Sequence, residues 1–184
     1  MVCAPWEIPL PAGRLRRFLP EDIRAFSELN ANPLVMKFFP HPWSFEISQA
    51  KFEIIQDEFR ERGFGIYALE THGEFSGMVG LSVPSFETHF TPCVEILWRL
   101  HPRFWGQGLV TSAAREVLNM AFQELNLEEV VAFAVVENQR SVAVMERLGM
   151  VRDAEPFFDH PGVSEDRLRR HVLYRATHPR ASDL

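Results

Sequence analysis

Glu95-Ile-Leu-Trp-Arg-Leu-His-Pro-Arg-Phe-Trp-Gly-Gln-Gly-Leu-Val-Thr111 is the stretch whose reading decides the fold. Val94 to Leu100 has the density of a strand, and His101-Pro102 ends it. Alternation puts Glu95, Leu97 and Arg99 on one face and Ile96, Trp98 and Leu100 on the other. Gly106 and Gly108 follow. Then Ala113, Ala114, Val117, Leu118, Ala121, Phe122 and Leu125 recur at helical spacing. A strand, a glycine loop and a helix in that order aim backbone N–H groups and the positive end of a helix dipole at one point. A nucleotide-like anion is therefore the first ligand to consider. A Walker-A loop is excluded, since Leu109-Val110 stand where Lys-Ser/Thr would follow Gly108. A dinucleotide fingerprint is disfavoured by Thr111 at its third small position and by the late place of the strand.

Outward from that stretch, the chain reads as strands and helices in mixed order. Residues 1–13 are proline-rich and are expected to be an irregular arm. Arg14 to Phe18 is a candidate strand, and Glu21-Asp22 begin a helix that Asn32-Pro33 breaks. Ser44 can cap a second helix with the stripe Ile47, Phe52, Ile55 and Phe59, ending at Gly63. Phe64–Glu70 and Gly77–Val83 flank a hairpin turn at Thr71-His72-Gly73-Glu74. Val130–Val136 is a buried strand, Ser141–Leu148 a short helix closed by Gly149, and Val151-Arg152 and Leu168–Tyr174 the last strands. Consecutive strands favour an α+β fold: a mixed, mostly antiparallel sheet of about seven strands flanked by helices. Val94 to Val136 would be a right-handed parallel crossover. One domain over 14–175 and a tail over 176–184 are expected, with no internal repeat.

Bulk properties narrow the function. With 184 residues, 46% hydrophobic content and a net charge of −6, broad nucleic-acid binding by charge is not expected. Cys3 and Cys93 form neither a disulfide framework nor a zinc-type pairing, so no metal is expected. The longest purely apolar run, Val130–Val136, is too short to span a bilayer, and prolines interrupt any leader-like core. A cytoplasmic protein without nucleic-acid or membrane partners follows.

The motifs and their order resemble the GNAT superfamily of N-acetyltransferases, nearest the branch that acetylates ribosomal-protein N-termini. The likeness spans 14–175. It rests on Glu95-Ile96, His101-Pro102, Arg103-Phe104-Trp105-Gly106-Gln107-Gly108, Asn138-x-x-Ser141, Leu148-Gly149-Met150 and His171-Val-Leu-Tyr-Arg175. The resemblance implies a splayed sheet and acetyl-CoA as co-substrate. Its diphosphate would lie on Arg103, Phe104, Gly106, Gln107, Gly108, Leu109, Val110 and Thr111. Its pantetheine would lie on the main chain of Trp98 and Leu100, and Asn138 and Ser141 would reach its arm. The implied reaction is direct attack of a primary amine, a peptide N-terminus or small metabolite, in a ternary complex. A non-catalytic acyl-CoA-binding module and an enzyme for a longer acyl chain are the alternatives.

Acetyl transfer needs a neutral nucleophile, and an α-amine with pKa ~8 loses its proton more readily than a lysine at ~10.4. The resemblance makes Glu95 the general base; an ion pair of Glu95 with Arg99 is the other reading. The family's acid, a tyrosine seven residues after the asparagine, is replaced by Met145. Ser141 is the alternative acid, and its competing role is N-cap of the helix it begins. The thiolate can also take its proton from water. Leu97 and Ser112 depart from the branch's usual glycine and glutamate. His72 reads as solvated and His101 as orienting the turn. His160 and His171 are pocket-border candidates or structural. Phe38, Phe39, Trp43 and Phe45 either wall a pocket, join the core or make a homodimer contact.

Overall fold

The computed structural model describes residues 3–178. In chain order it has β1 (Glu7–Leu10), β2 (Gly13–Arg16), α1 (Ile23–Ala31), α2 (Phe45–Arg62), β3 (Ile66–Thr71), β4 (Glu74–Ser82) and β5 (Glu95–Leu100). Then come α3 (Leu109–Gln123), β6 (Glu129–Val135), α4 (Gln139–Arg147), β7 (Val151–Asp159), α5 (Asp166–Arg169) and β8 (Arg170–Thr177). The strands form one eight-stranded sheet in the order β1-β2-β3-β4-β5-β6-β8-β7. Every pairing is antiparallel except β5–β6.

The expected seven strands become eight because the proline-rich arm contains β1. Pro9 lacks an N–H, but β1 is an edge strand and needs ladder bonds on one side only. Ile8 is buried while Glu7 and Pro9 are exposed, the alternation of a strand with one covered face. At the other end β8 extends to Thr177, two residues past the expected boundary. Residues 1–2 and most of the expected tail lie outside the described residues. Among the described residues no helix is long and apolar enough to cross a membrane.

Alternation along β5 builds two layers. Ile96 and Leu100 join Val110, Ala113, Ala114 and Val117 of α3 in the largest core cluster. Leu97 faces the opposite way, against a cluster holding Phe26 of α1 and Phe52 and Ile55 of α2. Ser44 caps α2 by accepting from the Ile47 amide at 3.3 Å, and Gly63 ends it at φ 78°. A third cluster, Phe90, Val131, Phe158 and Leu173, covers the far half of the sheet. Val131 pairs with Glu95, so this aromatic cluster lies on Glu95's side of the sheet.

Candidate active site

The two halves of the sheet meet at a single recorded pair, Glu95 with Val131. The Val131 amide donates to the Val94 carbonyl at 2.9 Å, and the His101 amide donates to Ser76 on the β4 side at 2.9 Å. Strand alternation between those points turns the main-chain groups of Trp98 and Leu100 toward β6, where no further pair is recorded among the described residues. A cleft with unpaired strand edge therefore begins beyond Glu95. One of its groups is engaged: the Trp105 indole N–H donates to the Leu100 carbonyl at 2.8 Å. A carbonyl has a second lone pair for a ligand.

The loop at the cleft's end is built around its amides. His101 accepts from the Arg103 amide through Nδ1 at 3.3 Å, which orients the turn as the sequence suggests. The Phe104 and Trp105 amides go to His101 and Pro102, and the Ser112 amide to Gly108, at 2.9, 3.1 and 3.0 Å. Among the described residues nothing accepts from the amides of Gly106 through Thr111. Gly106 and Gly108 hold φ of 77° and 74°, the left-handed region that favours glycine. A Cβ at either would meet nothing within 4 Å, so the loop is open on that side. A cavity of about 150 Å³ borders Gln107, Gly108, Leu109 and Ser112. Leu109 and Val110 bury their side chains in the core and leave their amides outward at the helix start.

Not every loop residue faces that point. Phe104 is a core side chain. Arg103 extends to Glu74 in an exposed ion pair and lies 4.6 Å from the Phe104 ring centre, so its charge is committed to the β3–β4 hairpin. Gln107 donates to the Arg103 carbonyl at 3.2 Å.

Across the cleft, α4 starts two residues before the expected Ser141. Asn138 is its cap, accepting from the Ser141 amide at 3.3 Å. The N-cap reading of Ser141 is thereby corrected, and among the described residues its hydroxyl makes no recorded hydrogen bond. Met145 is fully buried. Arg140 of α4 lies 4.0 Å from the Trp105 ring centre, so the first turn of α4 and the glycine loop are neighbours.

On the opposite sheet face Glu95, Leu97 and Arg99 project together, as alternation requires. The Glu95–Arg99 contact pair, the other reading of Glu95, does not form, and the two charges act on each other only at longer range. Arg99 instead donates to Asn30 and stacks between Phe39 and Trp43, each 4.3 Å away. These two aromatics thus hold a part-buried cation; Phe45 is exposed. Burial pushes Glu95 up to about 7, the nearby Glu58 charge adds to this, and Arg99 opposes it. Burial also raises the Glu58 carboxyl, with the Ser82 hydrogen bond opposing. Sequence reasoning reaches Glu95 and Arg99 but misses Glu58, Ser82 and Asn30. The available signal was slight: Glu58 sits beside Ile55 and Phe59, at the edge of the apolar stripe of α2.

His160 and His171 join Phe86, Phe133 and Phe158, with the two imidazole centres 5.1 Å apart. Burial lowers both pKa values. His72 occupies the hairpin turn at φ 53°. Among the described residues no group of three or more His, Cys, Asp or Glu could hold a metal ion.

An open strand edge, a loop of outward amides and a partly buried carboxylate thus all lie on or next to β5. Residues 14–151 match the acetyltransferase (GNAT) domain model. A transacetylase of Aspergillus fumigatus, FsC-acetyl coenzyme A-N(2)-transacetylase, is 34% identical over 77% of this chain, which spans 65% of that relative's length. Spermidine N(1)-acetyltransferase of Escherichia coli is 28% identical over 77% of this chain and 74% of its own. Among solved structures, an acetyltransferase from Agrobacterium tumefaciens superposes with TM-score 0.77 at 23% identity, covering 97% of this chain and 98% of the other. RimL, a ribosomal L7/L12 α-N-protein acetyltransferase in complex with coenzyme A, does so with TM-score 0.76 at 15% identity, covering 94% and 98%. The chain belongs to the GNAT acetyltransferase family.

Proposed function

We propose that the protein transfers an acetyl group from acetyl-CoA to a primary amine by direct attack in a ternary complex. The observation that carries this is the run of unengaged amides from Gly106 to Thr111 at the end of an unpaired strand edge. Six N–H groups at a helix start suit a diphosphate, and free strand edge suits the amide-bearing pantetheine arm. Trp98 and Leu100 would receive that arm, with Asn138 and Ser141 closing the other side. Acetyl-CoA supplies an activated thioester.

The chain's residues would do the rest. Glu95, at about 7, matches a general base working at neutral pH. It would take the amine's proton, directly or through water, as the new C–N bond forms. The Ser141 hydroxyl, without a recorded partner, is the candidate donor to the leaving thiolate. The protein would act in the cytoplasm on a small metabolite or peptide amine. A relative named for spermidine acetylation favours a small-molecule acceptor.

Thiol release with saturating acetyl-CoA and a panel of amines tests the reading. Turnover with at least one primary amine is expected. Tight acetyl-CoA binding with no turnover across the panel would instead point to a binding module, and faster turnover with a longer thioester to a different acyl donor.

A further inference from the structure

We propose that the cavity between α4, β7 and β8 binds a free α-amino acid with an aliphatic side chain, at a site separate from the acetyl-transfer cleft. The cavity has about 210 Å³, below the roughly 300 Å³ at which drug-sized sites begin, so its ligand is small. Gln139, Val142, Ala143 and Glu146 line it from α4, and that spacing is one stripe of a helix. Ser141 falls on the other side of the helix, so the cavity and the cleft use different faces of α4. The floor is apolar. Val142 and Val172 are buried, and Phe157 on the edge strand β7 keeps 41% of its surface exposed.

The mouth carries one charge of each sign, Glu146 and Arg152, both exposed. A single hydroxyl stands between them. Tyr174 donates to Glu146 Oε1 at 3.2 Å and accepts from Arg152 Nε and Nη2 at 3.3 and 3.0 Å. A phenol has one proton to give, and Glu146 receives it. Among the described residues Glu146 Oε2 and Arg152 Nη1 have no recorded partner. The surrounding charges balance. Arg170 lies 5.0 Å from the Phe157 ring centre. Its register partner Asp159 pairs with Arg169 at 3.3 Å, and Arg169 with Asp166 at 2.9 Å. Arg152, Arg169 and Arg170 thus face Glu146, Asp159 and Asp166. Glu137, Arg140 and Arg147 around α4 and Glu155 on β7 add charges of both signs equally. A net anion or a net cation therefore gains nothing from its surroundings, whereas a zwitterion gains at both ends. Its ammonium meets Glu146, its carboxylate meets Arg152, and its aliphatic side chain covers Val142, Ala143 and Val172. In an α-amino acid one carbon separates the two charged groups, which suits partners that one hydroxyl separates.

Calorimetry on the full chain tests the site, and it is independent of the transferase reading because acetyl-CoA is left out. The probes are L-leucine, glycine, isocaproate and isopentylamine. Wild type should bind L-leucine about tenfold or more tightly than either single-charge probe, the scale of one charge-assisted contact. Glycine, with no side chain to bury, should bind more weakly by a similar factor. Arg152→Gln and Glu146→Gln, both at exposed positions, should each weaken L-leucine about tenfold, and Ala143→Leu, which fills the floor, should abolish binding. Absence of L-leucine binding, equal binding of the single-charge probes, or affinity unchanged in the two charge variants overturns the site; the last result places the amino acid elsewhere on the chain. Should Ala143→Leu fail to fold, the charge variants decide. Self-association in sedimentation that Ala143→Leu removes, in a chain indifferent to L-leucine, assigns the cavity to a second copy and overturns the amino-acid reading.

Discussion

Glu95 carries opposite demands at the scale of one residue. Its carboxyl is raised to about 7 by burial first and by Glu58 second, against the pull of Arg99. As a base it must be deprotonated, so kcat/KM for the acceptor should rise with pH through a limb centred near 7. Glu95→Gln should remove that limb and lower kcat by about 10²-fold or more; a limb that persists in the variant excludes Glu95 as its source. Stability runs the other way. A carboxyl whose folded pKa exceeds its unfolded value loses stability as pH rises from the unfolded value to the folded one. Glu95→Gln should therefore melt at least about 3 °C above wild type at pH 8, with the difference shrinking by pH 5. An inactive variant that gains stability only at high pH would mark a site held against folding preference.

At the scale of elements, the β5–loop–α3 unit was legible because hydrophobic period changes from two to 3.6 at Gly106–Gly108, with few competing readings. The β1 strand was not, since Pro5, Pro9 and Pro11 mask a four-residue alternation that only an edge position tolerates. Strand β7 is longer than its two-residue signal because six of its nine residues are exposed and no regular alternation marks it. The loop amides could be read locally from the two glycines and the helix start, whereas Glu95 was singled out by the family resemblance. Glu58, Ser82 and Asn30 could be read neither way, because α2, β4 and α1 bring them to β5 only in the folded chain. The start of α4 was misread by two residues, and that error bears on chemistry. With Asn138 as cap, Asn138→Ala should cost about 1 kcal/mol of stability. Ser141→Ala should leave the melting temperature unchanged and reduce kcat about tenfold, the lower range for losing a proton donor. A stability loss in Ser141→Ala without a kcat effect would return that serine to a structural role.

Across the whole molecule, the sheet is two half-sheets, β1–β5 and β6–β8–β7, joined at Glu95 and Val131. Trp105 bonds Leu100 at the end of one half and stacks on Arg140 of α4, the helix that follows β6 of the other. A long ligand lying in the cleft would join the halves along its length. At about 100-fold excess over Kd such a ligand adds about 2.7 kcal/mol to stability, or roughly 5–10 °C for a chain of this size. Hydrogen exchange separates the two parts of the proposed footprint. Acetyl-CoA should protect the amides from Gly106 to Thr111 together with those of Trp98 and Leu100. Adenosine 3′-phosphate 5′-diphosphate, which keeps the diphosphate and lacks the pantetheine arm, should slow exchange mainly at the loop and raise the melting temperature less. Gly108→Ala forces a side chain into the left-handed region at φ 74° and should cost about 1–2 kcal/mol. It should weaken acetyl-CoA protection at the loop more than at Trp98. Equal protection by both ligands at Trp98, or no protection at the loop, would dissociate the cleft from the cradle and leave the half-sheet junction without a ligand-binding role.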